Sequence, residues 1–222
     1  MLLEDCAEQG YAYHVVSITD LENTLAKGIE YDDKATYGSK YYHFHSYFDR
    51  FKPTDIPEWV ERKKAIFASI CFREGHKWHS HSALLKIRIQ RDKCWVCNEN
   101  LANFIYEPFI LKDMDGFEAT REYMSLNGKA YVEEYWRNSL SYMDNLNMRR
   151  DKEEGYDAEL LVMHSIPPED IQCLYIVSDH QIMGYKEWQA YFTTDNSQVN
   201  AQYSKYLQPN SISSASKTFC SQ

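Results

Sequence analysis

No apolar run in this 222-residue chain approaches the roughly 18 residues that a bilayer crossing requires, so no membrane span is expected. Residues 1–13 lack a basic start followed by an apolar stretch, which argues against a secretory signal and makes a cytoplasmic location the expectation. Cysteine is sparse. The six thiols, at positions 6, 71, 94, 97, 173 and 220, are scattered rather than dense, so reduced cysteines are expected in place of a disulfide framework. Missing too is a Gly-rich phosphate loop of the Rossmann or Walker type, which disfavours those nucleotide folds. Positive charge is in deficit overall. A net charge of −9 argues against a protein coated in basic residues for indiscriminate nucleic-acid binding.

Aromatic rings, by contrast, are abundant: 18 tyrosines and five tryptophans suit pockets and interfaces as well as cores. The charge is also uneven, because residues 62–93 carry nine Lys or Arg and only two acids, Glu74 and Asp92. With Trp78 and three histidines inside it, this basic segment suits a path for single-stranded nucleic acid; the bland alternative is one solvated face that balances the acidic remainder. At this length one well-buried core is expected, and hence one domain.

Tyr11-Ala-Tyr-His-Val-Val-Ser17 is rich in aromatic and β-branched residues and predicts a strand. Thr19-Asp-Leu-Glu22 has the form of a capping box, and Gly28 stands where a short helix would stop. Residues 31–57 read as a loop-rich insertion, with a short helix over 41–48 and a helical turn following Pro57. Ala65-Ile-Phe-Ala-Ser-Ile-Cys-Phe72 predicts a buried central strand, and Leu85, Ile87 and Ile89 alternate with polar residues as in a half-exposed one. Cys94-Trp-Val-Cys97 reads as a further short strand. Residues 117–126 and 130–143 predict a helical hairpin broken at Asn127-Gly128. Ala158 to Met163 and Cys173 to Val177 complete the strands, a last helix covers 185–192, and a poorly ordered polar tail follows over 193–222.

Glu159 stands out on chemistry alone. A carboxylate within an apolar strand either faces solvent, at an edge or a strand start, or is retained for a reason, because burying an unpaired charge costs several kcal/mol. Both neighbours on its own face and those on the opposite face are apolar here (Leu161 and Met163; Leu160 and Val162), so neither face is polar.

Three segments together resemble the split NAD-binding core of ADP-ribosyltransferases: Tyr13-His-Val-Val-Ser17 through Leu25-Ala-Lys-Gly28, the strand at 65–72, and Ala158-Glu-Leu-Leu-Val162 followed by Ile166-Pro-Pro-Glu-Asp-Ile171. The last is similar to the corresponding segment of bacterial toxins that ADP-ribosylate DNA bases. The resemblance implies an α+β fold with a split β-sheet core, flanking helices and a helical insertion, filling residues 1–192 as one catalytic domain. It also implies NAD as ADP-ribosyl donor and Glu159 as the catalytic carboxylate, which stabilises an oxocarbenium-like centre and holds a ribose hydroxyl.

By the same analogy His14 would bind the adenosine-side ribose, Ser17 or its backbone would help hold the nicotinamide half, and Asp157 would orient the acceptor. Arg62, or Lys63 or Lys64 beside it, would contact pyrophosphate or assist the reaction. Phe67, Phe72 or a ring of the Tyr41 to Phe48 cluster would stack on nicotinamide, with Ser69 beside the two phenylalanines on the middle strand. Each has a plainer reading: a satisfied core or turn histidine for His14, a turn residue for Asp157, solvated charge for the cations. The chain also departs from the family. It offers Phe67 and Phe72 where one subgroup has a tyrosine, and only Ala68-Ser69 where another has a serine-threonine-serine run.

Rival sites are weaker. His76, His79 and His81 with Cys94 and Cys97 do not pair in a usual zinc spacing, so no metal is expected. Cys94 and Cys97 also lack the helix N-terminus that would activate a redox thiol. The reading that results is transfer of ADP-ribose from NAD to a nucleic-acid or protein acceptor, with no membrane partner. An NAD glycohydrolase of the same fold and a non-catalytic binding module stand as alternatives.

Overall fold

The computed structural model describes residues 5, 7–32, 39–71, 80–178 and 181–193, and the chain divides into a first unit, Met1–Tyr185, and a second, Lys186–Gln222. The described part of the second unit, Lys186–Thr193, is all but the first residue of the helix α7 (Tyr185–Thr193), in agreement with the expected last helix. The predicted polar tail lies, beyond its first residue, outside the described residues.

The first unit is mixed α+β, built on an eight-stranded sheet in which every neighbouring pair is antiparallel. In chain order its strands are β1 (Tyr11–Ser17), β2 (Ile66–Ser69), β3 (Ser82–Arg88), β4 (Cys94–Asn98), β5 (Leu140–Ser141), β6 (Ala158–Val162), β7 (Ile171–Ser178) and β8 (Gln181–Gly184). Their order across the sheet is β5-β4-β6-β2-β1-β3-β7-β8. One junction is thin. β1 and β3 pair from Tyr11↔Arg88 to Ser17↔Ser82, and β2 and β6 from Ile66↔Val162 to Ser69↔Glu159, whereas β1 and β2 meet only at Tyr13↔Ser69. The sheet therefore has a seam between β1 and β2, with four strands on either side.

The helices follow from the local sequence, with some departures. α1 (Leu21–Lys27) stops at Gly28, whose φ of 88° only glycine adopts readily and where a Cβ would lie 2.3 Å from the Ile166 carbonyl oxygen. That close approach lets Ile29 and Ile166 exchange backbone hydrogen bonds at 2.9 and 2.8 Å, tying the helix exit to the segment that follows β6. The expected capping box is not formed: Asp20 is the N-cap, without a side-chain bond, because the Thr19 hydroxyl is engaged by Ser17 Oγ at 2.8 Å. The insertion expected to be loop-rich contains α2 (Ser39–Asp49), longer than its aromatic run alone implied, while the segment after Pro57 is a series of turns.

α3 (Glu99–Leu111) follows β4 directly, its first turn capped by the Asn98 side chain, which accepts from Asn100 N. No break occurs at Asn127-Gly128. α4 (Glu118–Tyr123) runs through a π-helical turn, Met124–Gly128, into α5 (Lys129–Arg137), and the expected hairpin is replaced by one irregular helix. Gly128 serves close packing here, since a Cβ would stand 2.6 Å from Met124 Cε and 3.0 Å from the Tyr47 hydroxyl. α6 (Tyr142–Met148) is a separate helix that starts at β5.

Strand alternation decides what faces the helices. Trp95, Cys97, Leu161 and Met163 share the core with Phe44 and Phe48 of α2, Ala102, Ile105 and Phe109 of α3, and Val132, Tyr135 and Trp136 of α5. Each such large side chain taken fully out of water contributes about 1.5–3 kcal/mol before entropy is counted. The opposite face of β6, Leu160 and Val162, is also fully buried, as expected for a central strand.

Candidate active site

Glu159 lies on that helix-facing side, level with Ser69 on β2 and Cys97 on β4. It is 6% exposed in a central strand, so the reading in which it simply points to water does not hold. Its charge is matched by Arg62, 3% exposed, whose Nη2 donates to both carboxylate oxygens at 2.9 Å. Tyr135, with no exposed surface, completes a triangle: its hydroxyl donates to Glu159 Oε1 at 2.6 Å and accepts from Arg62 Nε at 3.0 Å. Arg62 Nη1 donates to His45 Nδ1. Since a guanidinium has only donors, that contact fixes Nδ1 of His45 as the unprotonated nitrogen.

Two clamps hold the segment that carries Arg62. The Asp49 carboxylate, at the end of α2, accepts from the backbone N–H groups of Arg62 at 2.8 Å and Lys63 at 3.0 Å. Lys52 Nζ donates to the carbonyls of Pro57, Glu58 and Val60 at 2.9, 3.2 and 2.7 Å. The guanidinium is thereby delivered into a ring of aromatics, with its carbon 4.6 Å from the Phe48 centroid, 4.9 Å from Phe67, 5.3 Å from Tyr135 and 5.5 Å from Phe44. Burial works against the Arg62 charge, but the Glu159 carboxylate and the Tyr135 hydroxyl outweigh it and raise its pKa above the ordinary value. Burial likewise pushes up the Tyr135 and Cys97 pKa values, with the Glu159 carboxylate adding to both, so the tyrosine keeps its proton.

The seam adjoins this cluster. Phe67 stacks on His45 with centroids 4.7 Å apart, and its carbonyl accepts from His14 Nδ1 at 2.6 Å across the opening between β1 and β2. A carbonyl can only accept, so His14 carries its proton on Nδ1 and leaves Nε2 as an acceptor. Desolvation lowers the His14 pKa, more than the Phe67 carbonyl raises it, and favours that neutral form.

Of the residues singled out from sequence, Glu159, Arg62 and Phe67 are thus gathered at one place, with Ser69 level with Glu159 on β2, while His14, on the other face of β1 from Tyr13, reaches only the backbone carbonyl of Phe67. Ser17 is not among them: it lies exposed at the far end of β1, four residues beyond Tyr13 or about 13 Å along the strand, in a turn with Thr19. Asp157 is exposed just before β6, and its backbone carbonyl accepts from Glu99 N at 2.7 Å. Phe72, His76, Trp78 and His79 lie outside the described residues.

Sequence reasoning passed over Tyr135, His45 and Glu99. Glu99, half-buried at the start of α3, has its carboxyl pushed up to about 7, by burial first and then by the Glu159 and Asp157 carboxylates. Only His45 had a visible signal, as a polar ring inside the aromatic run of α2. Four cavities lined by described residues, of about 320 to 710 Å³, do not include Glu159, Arg62 or Tyr135, and 8% of the Glu159 side chain remains exposed.

Comparison with protein-family models, with curated proteins and with solved structures finds no match for this chain. Among the described residues no helix is long and apolar enough to cross a membrane.

Proposed function

We propose that this chain is an NAD-dependent mono-ADP-ribosyltransferase that modifies a nucleic-acid or protein acceptor, with Glu159 as the carboxylate that stabilises the ribosyl cation. One observation carries the reading. Glu159, in an otherwise apolar central strand, is buried with Arg62 and Tyr135 one strand from the thin β1–β2 junction, level with its Tyr13↔Ser69 pair. Replacing a buried ion pair by apolar side chains is often neutral or stabilising, so its presence in a core otherwise rich in aromatics argues for a use beyond stability. The seam is where the split core of the resembled family would receive the dinucleotide.

On this reading the nicotinamide–ribose bond breaks with positive charge growing at the ribose carbon, and the fixed Glu159 carboxylate opposes that charge in a site with little water. Arg62 orients the carboxylate through Nη2. His14 offers Nε2 to a ribose hydroxyl. The acceptor's nucleophile then forms the new bond to the ribose carbon and loses its proton, while nicotinamide leaves with the electron pair of the broken bond.

The test uses NAD labelled in its adenine, incubated with the protein and with single-stranded DNA, RNA or cell-extract protein in separate reactions. The reading predicts label on one macromolecular fraction, and none with Glu159→Gln. Label recovered only as free ADP-ribose would make the protein a glycohydrolase, and intact NAD in every reaction would refute the enzyme assignment.

A further inference from the structure

The two oxygens of Glu159 are not equivalent. Among the described residues, Oε1 accepts from Arg62 Nη2 at 2.9 Å and from the Tyr135 hydroxyl at 2.6 Å, whereas Oε2 accepts only from Arg62 Nη2, at 2.9 Å. Each carboxylate oxygen has two acceptor positions, so Oε1 is filled and Oε2 keeps one. We propose that Tyr135 is the positioning residue of the site: together with Arg62 its hydroxyl saturates Oε1 and leaves Oε2 as the atom that meets the ribose. This rests on the transferase reading above and adds which atom acts and what selects it.

Packing alone does not explain a tyrosine at 135. Its ring makes edge contacts with Phe48, centroids 4.7 Å apart, and with Trp136 at 5.1 Å, and phenylalanine would make the same contacts. Only the hydroxyl distinguishes the two, and both of its capacities are used, as donor to Glu159 and as acceptor from Arg62 Nε. The ring is anchored on α5 while Glu159 is on β6 and Arg62 precedes β2, so three separate elements fix one carboxylate plane. Burial raises the pKa of the phenol above its ordinary value, so it remains a donor at neutral pH. Without the hydroxyl the carboxylate would turn about its last bond, and the oxygen facing the ligand would no longer be determined.

The experiment measures nicotinamide release from NAD by the wild type, Tyr135→Phe, Glu159→Gln and the double variant, with melting temperature recorded for each. Positioning predicts that Tyr135→Phe lowers kcat by about tenfold to a hundredfold, as expected for loss of a hydrogen bond to a charged group, and leaves KM for NAD within about twofold. In the Glu159→Gln background the same change should leave the residual rate unaltered, because the hydroxyl acts through Glu159. Unchanged kcat in folded Tyr135→Phe, or equal losses in both backgrounds, would overturn the proposal while leaving the transferase reading intact. Should Tyr135→Phe not fold, Glu159→Asp, which withdraws the carboxylate from the hydroxyl, must show the same loss in kcat at constant KM; full activity there would overturn it too. A folded wild type that releases no nicotinamide overturns the functional reading and this inference with it.

Discussion

Removing one member of the buried ion pair should cost far more than removing both. Arg62 and Glu159 are 3% and 6% exposed, and Arg62→Met leaves the Glu159 carboxylate in the core with the Tyr135 hydroxyl as its remaining described donor. Breaking such a pair from one side costs about 3–5 kcal/mol, because a desolvated charge loses its counter-charge. For a unit of this size each kcal/mol shifts the melting temperature by about 2–4 °C, which gives a fall of about 6–20 °C. In Arg62→Met/Glu159→Leu no charge is left behind, and the apolar pair would pack among Phe44, Phe48 and Phe67, so most of the loss should return. Urea unfolding of the wild type, both single variants and the double variant measures the coupling directly, provided the m-value is constant across the set. Additive losses, or a cost below about 1 kcal/mol for Arg62→Met, would refute the claim that these two charges depend on one another in the core.

Other outcomes follow from the same physics. Glu99 has a folded pKa of about 7 against an ordinary value of 4.5, so the folded state holds its proton longer and stability falls as pH rises from about 4.5 to about 7. Glu99→Gln should flatten that slope and raise stability at pH 8 by about 1–3 kcal/mol; a pH–stability profile unchanged by the substitution would contradict the assignment. Gly28→Ala should destabilise by about 2–4 kcal/mol or more, because its φ is 88° and the new Cβ would meet the Ile166 carbonyl oxygen at 2.3 Å. Thermal unfolding checks this, and a loss under about 1 kcal/mol would show that the Ile29–Ile166 bridge yields easily.

The strands were readable where their pattern reflects burial. The apolar runs at β2 and β6 and the alternation in β3 predict those strands because central strands are apolar on both faces and half-exposed ones on one. Helical irregularity was not readable: Asn127-Gly128 carries the signature of a break, but the small Gly128 lets Met124 and Tyr47 close in and the helix continues through a π turn. α3 was missed, although Asn98-Glu99 has a capping signal, because its apolar and aromatic residues follow β4 with no intervening turn. Glu159 was conspicuous as a charge in an apolar run, and Arg62 could be named as one cation among several. Their partner Tyr135 could not be named, since nothing in the sequence sets it apart from the other tyrosines among 18 and only the packing of α5 on the sheet selects it.

The most direct test of the whole account is nicotinamide release from NAD by the wild type and by Glu159→Gln, with circular dichroism confirming that both are folded. The account predicts release by the wild type and at least a hundredfold less, or about 3 kcal/mol of lost transition-state stabilisation, from a variant of nearly unchanged shape. Equal release by the two proteins would show that Glu159 is not the catalytic carboxylate, and no release by the folded wild type would leave the Arg62–Glu159–Tyr135 cluster as a structural lock in the core.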